Sequence, residues 1–188
     1  MWTIIPTNTP LVIRHCSKCG RTKEFYCSEK FRLNGRHTKI DIWLIYKCTK
    51  CDTTWKSTIK RGIKPHDLPQ HIFDKFTNND KKLAWKYAFD RQLLKQNECE
   101  ILYSDVKYDV EGFNEKDFEN PLQIRVNSVY MFELKLSTFL AGRLSISVNK
   151  LKKLVQSGCV KTTPEYDIMK YRIRADIDVI FDKDNYFI

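Results

Sequence analysis

Two short thiol hooks, Cys16-Ser17-Lys18-Cys19-Gly20 and Cys48-Thr49-Lys50-Cys51, constrain this chain more than any other feature. Four soft ligands on two CxxC turns, separated by a segment that reads as a β-hairpin, match a closed tetrahedral metal site of the structural zinc type. Each hook lets two thiolates converge on one ion, and Gly20 lets the backbone fold tightly around the first. With Cys16, Cys19, Cys48 and Cys51 taking all four positions, none is open for water, so the spacing points to a structural ion and away from catalysis at the metal. The alternative is a redox dithiol beside an unrelated pair. Cys27, His15 and His37 are the spare ligands. Cys27 reads as a buried strand residue, because free cysteine behaves as a small hydrophobe, and the two histidines read as surface residues.

The thiols also bear on compartment. Seven cysteines is an odd number, and two CxxC pairs favour metal over disulfides in a chain that is not exported. The stretch Met1-Trp2-Thr3-Ile4-Ile5-Pro6 has neither the basic region nor the long apolar run of a signal peptide. The longest apolar run, Ile42 to Tyr46, is far short of the roughly 18 residues a membrane span needs. The expected location is therefore the cytoplasm. At 188 residues, 42% apolar and 30% charged, the chain has material for one domain or two small ones.

Charge is unevenly placed along the chain, whose net value is +10. Residues 1–62 hold 13 Lys/Arg against 4 Asp/Glu, residues 63–120 hold 9 against 12, and residues 121–188 hold 11 against 7. Two basic ends flank an acidic middle. An excess of this size suggests a polyanionic partner, most often nucleic acid; a solvated surface that aids solubility is the alternative.

Three segments follow from pattern. Residues 1–62 read as a zinc ribbon: Glu24–Leu33 and Lys39–Lys47 are β-rich, Asn34-Gly35 opens the turn between them, and Thr53, Trp55, Ser57 and Ile59 alternate with polar neighbours. Gly62, Pro65 and Pro69 then mark a linker. Residues 63–120 read as a helical and acidic connecting region, with a short helix at Gln70–Phe76, a longer one from Asp80 to Gln96, and strands at Ile101–Tyr103 and Val106–Val110. Residues 121–188 begin with a strand at Ile124–Val126, followed by a helix carrying Leu136, Phe139, Leu140 and Leu144. Ser147 then N-caps a second helix, with Ile146 and Leu151 placed as a hydrophobic staple and Gly158 as its C-terminal cap. Strands are expected at Cys159–Thr162, Tyr171–Arg174 and Ile177–Phe181. The expected class is α+β.

Two resemblances add to this reading. Trp2-Thr3-Ile4-Ile5-Pro6, the first hook, Cys27-Ser28-Glu29-Lys30-Phe31-Arg32-Leu33-Asn34 and Asp41-Ile42-Trp43-Leu44-Ile45-Tyr46-Lys47-Cys48 resemble a bacterial family of this length that begins with a zinc ribbon and has no assigned activity. Residues 134–181 resemble the alpha-L RNA-binding module, named for a small-subunit ribosomal protein. Leu136, Phe139, Leu140 and Leu144 match its first helix; Ser147, Leu154, Val155, Gly158 and Val160 match its second helix and turn; Asp176–Ile180 matches its closing strand. That resemblance implies a helix pair with a short β-ribbon and contact with ribosomal or other structured RNA. Val148 departs from it, standing where the family carries an arginine, and Thr163 or its neighbours replace the usual asparagine.

Within that segment, Lys150 sits in the first turn of its helix, where a cation opposes the dipole and a bound phosphate would relieve the conflict. Lys152 and Lys153 continue the charge, and Lys161, Lys170, Arg172 and Arg174 extend it from the ribbon. Trp43, Tyr46 and Trp55 are either small-domain core or, from an exposed ribbon face, stacking platforms for bases. Catalytic patterns are scarce. His66 and His71 are five apart, not the i, i+4 pair of a zincin, and Asp105, Asp109 and Glu111 lack calcium-loop spacing. No phosphate loop, dinucleotide fingerprint or nucleophile elbow is present. The expectation is a non-enzymatic RNA-binding protein with structural zinc. Its rivals are a zinc-ribbon adaptor for a protein partner and an enzyme whose site forms only in three dimensions.

Overall fold

The computed structural model describes residues 1–36, 39–112 and 122–182. They divide into two compact units, one of residues 8–106 and the other of residues 1–7 with 107–188. This differs from the boundaries at 62 and 120 read from the sequence. The reason is long-range pairing: the first strand of the chain joins strands more than a hundred residues away, and the helices after Pro69 pack on the first unit's sheet.

In the unit of residues 8–106, five strands form an antiparallel sheet in the order β6-β2-β3-β4-β5. They are β2 (Leu11–Cys16), β3 (Arg21–Arg36), β4 (Lys39–Cys48), β5 (Thr54–Ile63) and β6 (Glu100–Leu102). The β3–β4 ladder runs from Phe25↔Cys48 to Arg36↔Lys39, so Asn34 and Gly35 are paired within it. The connection at 37–38, which includes His37, lies outside the described residues.

Ile42, Leu44, Tyr46 and Cys48 alternate down β4 on the buried face, as a period-2 strand requires. Three short helices cover that face: α1 (Gln70–Thr77), α2 (Lys81–Ala88) and α3 (Arg91–Gln96). Phe76 of α1 meets Phe31 edge-on, with ring centroids 4.9 Å apart, and stacks on Tyr87 of α2 at 6.0 Å. A bulge in β3 between Cys27 and Lys30 gives α2 its anchor, since Glu29, at φ 58°, accepts from Trp85 Nε1 at 2.6 Å. The single helix expected over Asp80–Gln96 is two. Asp90 accepts from the Leu93 amide and restarts the helix as a new N-cap. Asn97 then guards the outer edge of β5, accepting from Thr58 N at 2.8 Å and donating to Thr58 O at 3.0 Å.

The other unit holds a second five-stranded sheet, in the order β7-β1-β8-β10-β9. Its strands are β1 (Trp2–Pro6), β7 (Tyr108–Glu111), β8 (Leu122–Ser128), β9 (Val160–Thr163) and β10 (Ile177–Phe181). β1 runs parallel to β8; the other pairs are antiparallel. Two helices, α4 (Leu136–Arg143) and α5 (Val148–Gln156), belong to this unit. Trp2, fully buried, sits edge-on to Phe139 of α4 at 5.8 Å and to Phe181 of β10 at 6.5 Å. Ser147 caps α5 by accepting from Lys150 N at 3.1 Å, as expected.

The expected fold class is overturned. In place of a zinc ribbon, a helical and acidic middle and an alpha-L-like helix pair with a short ribbon, the described residues form two five-stranded sheets with five α-helices. The hooks terminate strands of one broad sheet, and Val160–Thr163 and Ile177–Phe181 are two strands of a mixed sheet completed by β1. Tyr171–Arg174 forms no strand; a single bridge joins Arg172 to Lys135.

Candidate metal centre

Cys16 ends β2 and Cys48 ends β4, one on each side of β3, so the sheet itself brings the two hooks to one end. The hooks fold alike. The amide of Gly20 donates to the carbonyl of Cys16 at 2.9 Å, and that of Asp52 to the carbonyl of Cys48 at 3.0 Å. Gly20 has φ 66° and Asp52 φ 58°, the left-handed region in which each turn closes. The second hook is tied further by Cys48 N donating to Thr53 O at 3.0 Å and by Thr49 N donating to Glu24 O at 3.0 Å.

The result is a cluster. The four sulfur atoms of Cys16, Cys19, Cys48 and Cys51 all lie within 4.8 Å of one another, and Cys16 Sγ is 3.5 Å from Cys51 Sγ. All four thiols are free. A tetrahedron of thiolates around one ion at a metal–sulfur distance of about 2.3 Å has sulfurs roughly 3.8 Å apart, which the observed spread brackets. Cys16 and Cys48 are buried while Cys19 and Cys51 are half-buried, so the cluster is closed on the sheet side and approachable from the hooks. These four residues could hold a metal ion.

Thr53, whose hydroxyl and amide both reach the sulfur, holds the Cys51 thiol down to about 6; Cys51 Sγ is 3.1 Å from Thr53 Oγ1. The hydrogen bond with Cys51, then burial and the other two sulfurs, push Cys19 up to about 12. One thiolate forms readily, and the negative charge it adds opposes the next ionisation unless a cation neutralises it. Cys27 lies outside the cluster: it is buried in the sheet, and burial raises its thiol to about 12. From the sequence, Thr53 has only a place in a strand and Asp52 has none, although Asp52 follows the second hook as Gly20 follows the first.

The basic residues proposed from the sequence are spread over their unit. Lys150, Lys152 and Lys153 are exposed on α5. At 100° per residue Lys150 and Lys153 are neighbours, and Lys152 falls on the other flank of the buried Leu151 stripe. Lys161 on β9 and Arg174 are also exposed. Arg172 is engaged within the fold, 3.5 Å from the Glu133 carboxylate and donating to the Glu133 carbonyl at 3.1 Å. Of the three candidate aromatics, Tyr46 is fully buried and Trp55 packs against the same core, with Arg14 4.2 Å above its ring. Trp43 points to the opposite face of the sheet.

A family model described as "Protein of unknown function (DUF1062)" matches residues 33–166. The chain, a two-unit protein of sheets and short helices with a four-thiol cluster, belongs to that family. No curated protein and no solved structure matches it. No helix among the described residues is long and apolar enough to cross a membrane.

Proposed function

We propose that this chain is a non-enzymatic RNA-binding protein whose first unit is stapled by a structural zinc ion. Zinc is the ion favoured by four thiolates in tetrahedral array, and a site with every ligand from the protein adds folding energy but leaves no coordination position for substrate. The observation that carries the RNA reading is uncompensated charge: Lys150, Lys152, Lys153, Lys161 and Arg174 are exposed and in no ion pair among the described residues. Mobile cations held off from carboxylates are the groups that exchange counterions for phosphates.

The test is a salt titration of RNA affinity for wild type and for the triple variant Lys150→Gln, Lys152→Gln, Lys153→Gln. The variant should keep its fold, because surface substitutions typically change stability by less than about 0.5 kcal/mol. Its log–log salt slope should fall by roughly 0.7 for each single-stranded phosphate that the variant no longer neutralises. Equal affinities and slopes would remove α5 from the binding surface, and no RNA affinity at low salt would leave the protein-adaptor role as the better reading.

A further inference from the structure

The helices cover one face of the first unit's sheet, and the opposite face carries an ordered set of side chains that the core does not use. On β4, Trp43, Ile45 and Lys47 alternate with the buried Leu44, Tyr46 and Cys48, and neither Trp43 nor Ile45 belongs to the core cluster. Register fixes their neighbours. Arg32, Trp43 and Thr58 form one row across β3, β4 and β5; Lys30, Ile45 and Lys56 form the next; Tyr26, Lys47 and Thr54 form a third. Successive rows are about 6.7 Å apart, two residues along a strand.

These rows hold four cations and no carboxylate of their own; the one acid that touches them is Asp52, which accepts from Tyr26 Oη at 3.0 Å. Asp41, the nearest acid on β4, is occupied in accepting from Gly62 N at 2.7 Å. Trp43 stands among the cations with its ring partly exposed and Lys56 Nζ 5.1 Å above it. This is cation–π geometry, in which an ammonium lies within about 6 Å of the ring centroid, and it sets the ring face toward the lysine. At the thiol-hook end of the unit lies a hollow of about 540 Å³ whose walls hold two further cations, Lys23 and Lys50, and one carboxylate, Glu24.

We infer that this face binds single-stranded RNA, with one base stacked on Trp43 in place of Lys56 and the backbone phosphates met by Lys30, Arg32, Lys47 and Lys56. The inference rests on the RNA-binding reading above and moves its main contact from α5 to the sheet. Charge selects a polyanion. The aromatic platform between flanking cations selects one with unpaired bases, since every base has a π-face and a duplex hides it. Zinc would act here indirectly, by fixing the ends of β2 and β4.

The experiment uses the full chain and a fluorescently labelled oligouridylate of about 12 nucleotides, within the site sizes single-strand binders cover, read by anisotropy. Trp43→Ala should weaken binding about five- to 150-fold, the loss expected for one stacked base, and Trp43→Phe should restore most of it. The double variant Lys30→Gln, Lys56→Gln should lower the salt slope by about 1.4. This pair of lysines is exposed, so the variant keeps the test open should Trp43→Ala prove misfolded by circular dichroism. A blunt duplex of equal length should bind more weakly than the single strand. If wild type binds RNA but Trp43→Ala and the lysine pair bind as tightly with the same slope, this face is excluded while the RNA-binding function stands. Duplex binding as tight as single-strand binding also overturns the stacking mode. Failure of wild type to bind any RNA, or binding only to phosphatidylserine vesicles, overturns both.

Discussion

Gly20 and Asp52 hold equivalent places in the two thiol hooks. Each follows the second cysteine of its hook, each has positive φ, and each donates its amide to the carbonyl of that hook's first cysteine. The first hook meets the left-handed conformation with a residue that lacks Cβ. The second meets it with an aspartate, whose carboxylate is braced by Tyr26 Oη at 3.0 Å. Short polar side chains tolerate this region better than bulky ones, so the two sequences reach one geometry by different routes.

That equivalence predicts unequal responses to substitution. Gly20→Ala should destabilise the metal-loaded protein by about 1–2 kcal/mol, the cost of a Cβ in the left-handed region. Asp52→Gly should change stability by less than about 1 kcal/mol, since relief of the Cβ cost offsets removal of the Tyr26 hydrogen bond. Urea unfolding of the two variants beside wild type is the measurement. A larger loss for Asp52→Gly than for Gly20→Ala would show that the aspartate carboxylate, not backbone shape, holds the second hook.

Metal removal should act on the first unit. The hooks sit at the ends of β2 and β4, so without the ion four thiols stay crowded at the end of the sheet with only the hooks' own hydrogen bonds to hold them. Elemental analysis of reduced, freshly purified protein should find one zinc per chain. Chelation or Cys48→Ser should abolish it together with the near-ultraviolet signal of that unit. Cys27→Ser should retain full metal content, and loss of zinc in that variant would mean that the ligand set is wrong.

What was legible in the sequence was local. The hooks announce themselves by spacing, Ser147 and Gly158 by cap chemistry, and Ile177–Phe181 by composition. Two-residue alternation was harder to read in β4, because apolar side chains stand on both faces: Trp43 and Ile45 on one, Ile42, Leu44 and Tyr46 on the other. Only register with β3 and β5 separates the half-buried tryptophan from the fully buried tyrosine. Long-range pairing was illegible. Nothing in Trp2-Thr3-Ile4-Ile5-Pro6 says that it pairs with Tyr108–Glu111 on one side and Val126–Ser128 on the other, and the ribbon reading failed at that point. Arg172 shows the same limit for a side chain, since the Glu133 that engages it lies 39 residues away.

The two faces of β4 make a direct stability prediction. Leu44 is fully buried among the helices, so Leu44→Ala should cost about 2–5 kcal/mol, transfer and cavity terms together. Ile45, the next residue but on the open face, should cost below about 1 kcal/mol when replaced by alanine. Thermal or urea unfolding distinguishes the two. Equal losses would mean that the face carrying Trp43 is covered in solution, and the proposed RNA platform would lose its basis.

The second unit should show an acid-sensitive contribution from Arg125 and Asp178, which face each other across β8 and β10. Arg125 Nε and Nη2 donate to the two carboxylate oxygens at 2.8 and 3.0 Å, and this paired contact holds the Asp178 carboxyl below its ordinary value of 3.8. A carboxylate depressed on folding contributes stability that is fully present above its unfolded value and is lost as pH falls through the folded one. Wild type should therefore lose stability on acidification from about pH 5 downward more steeply than Asp178→Asn, which has no proton to take up at that site. At neutral pH the variant should be the less stable of the two, and the curves should converge toward about pH 2. The measurement is urea unfolding of both proteins at a series of pH values, followed by a signal from the second unit. Parallel pH curves would show that the Arg125–Asp178 contact contributes equally in the folded and unfolded chain.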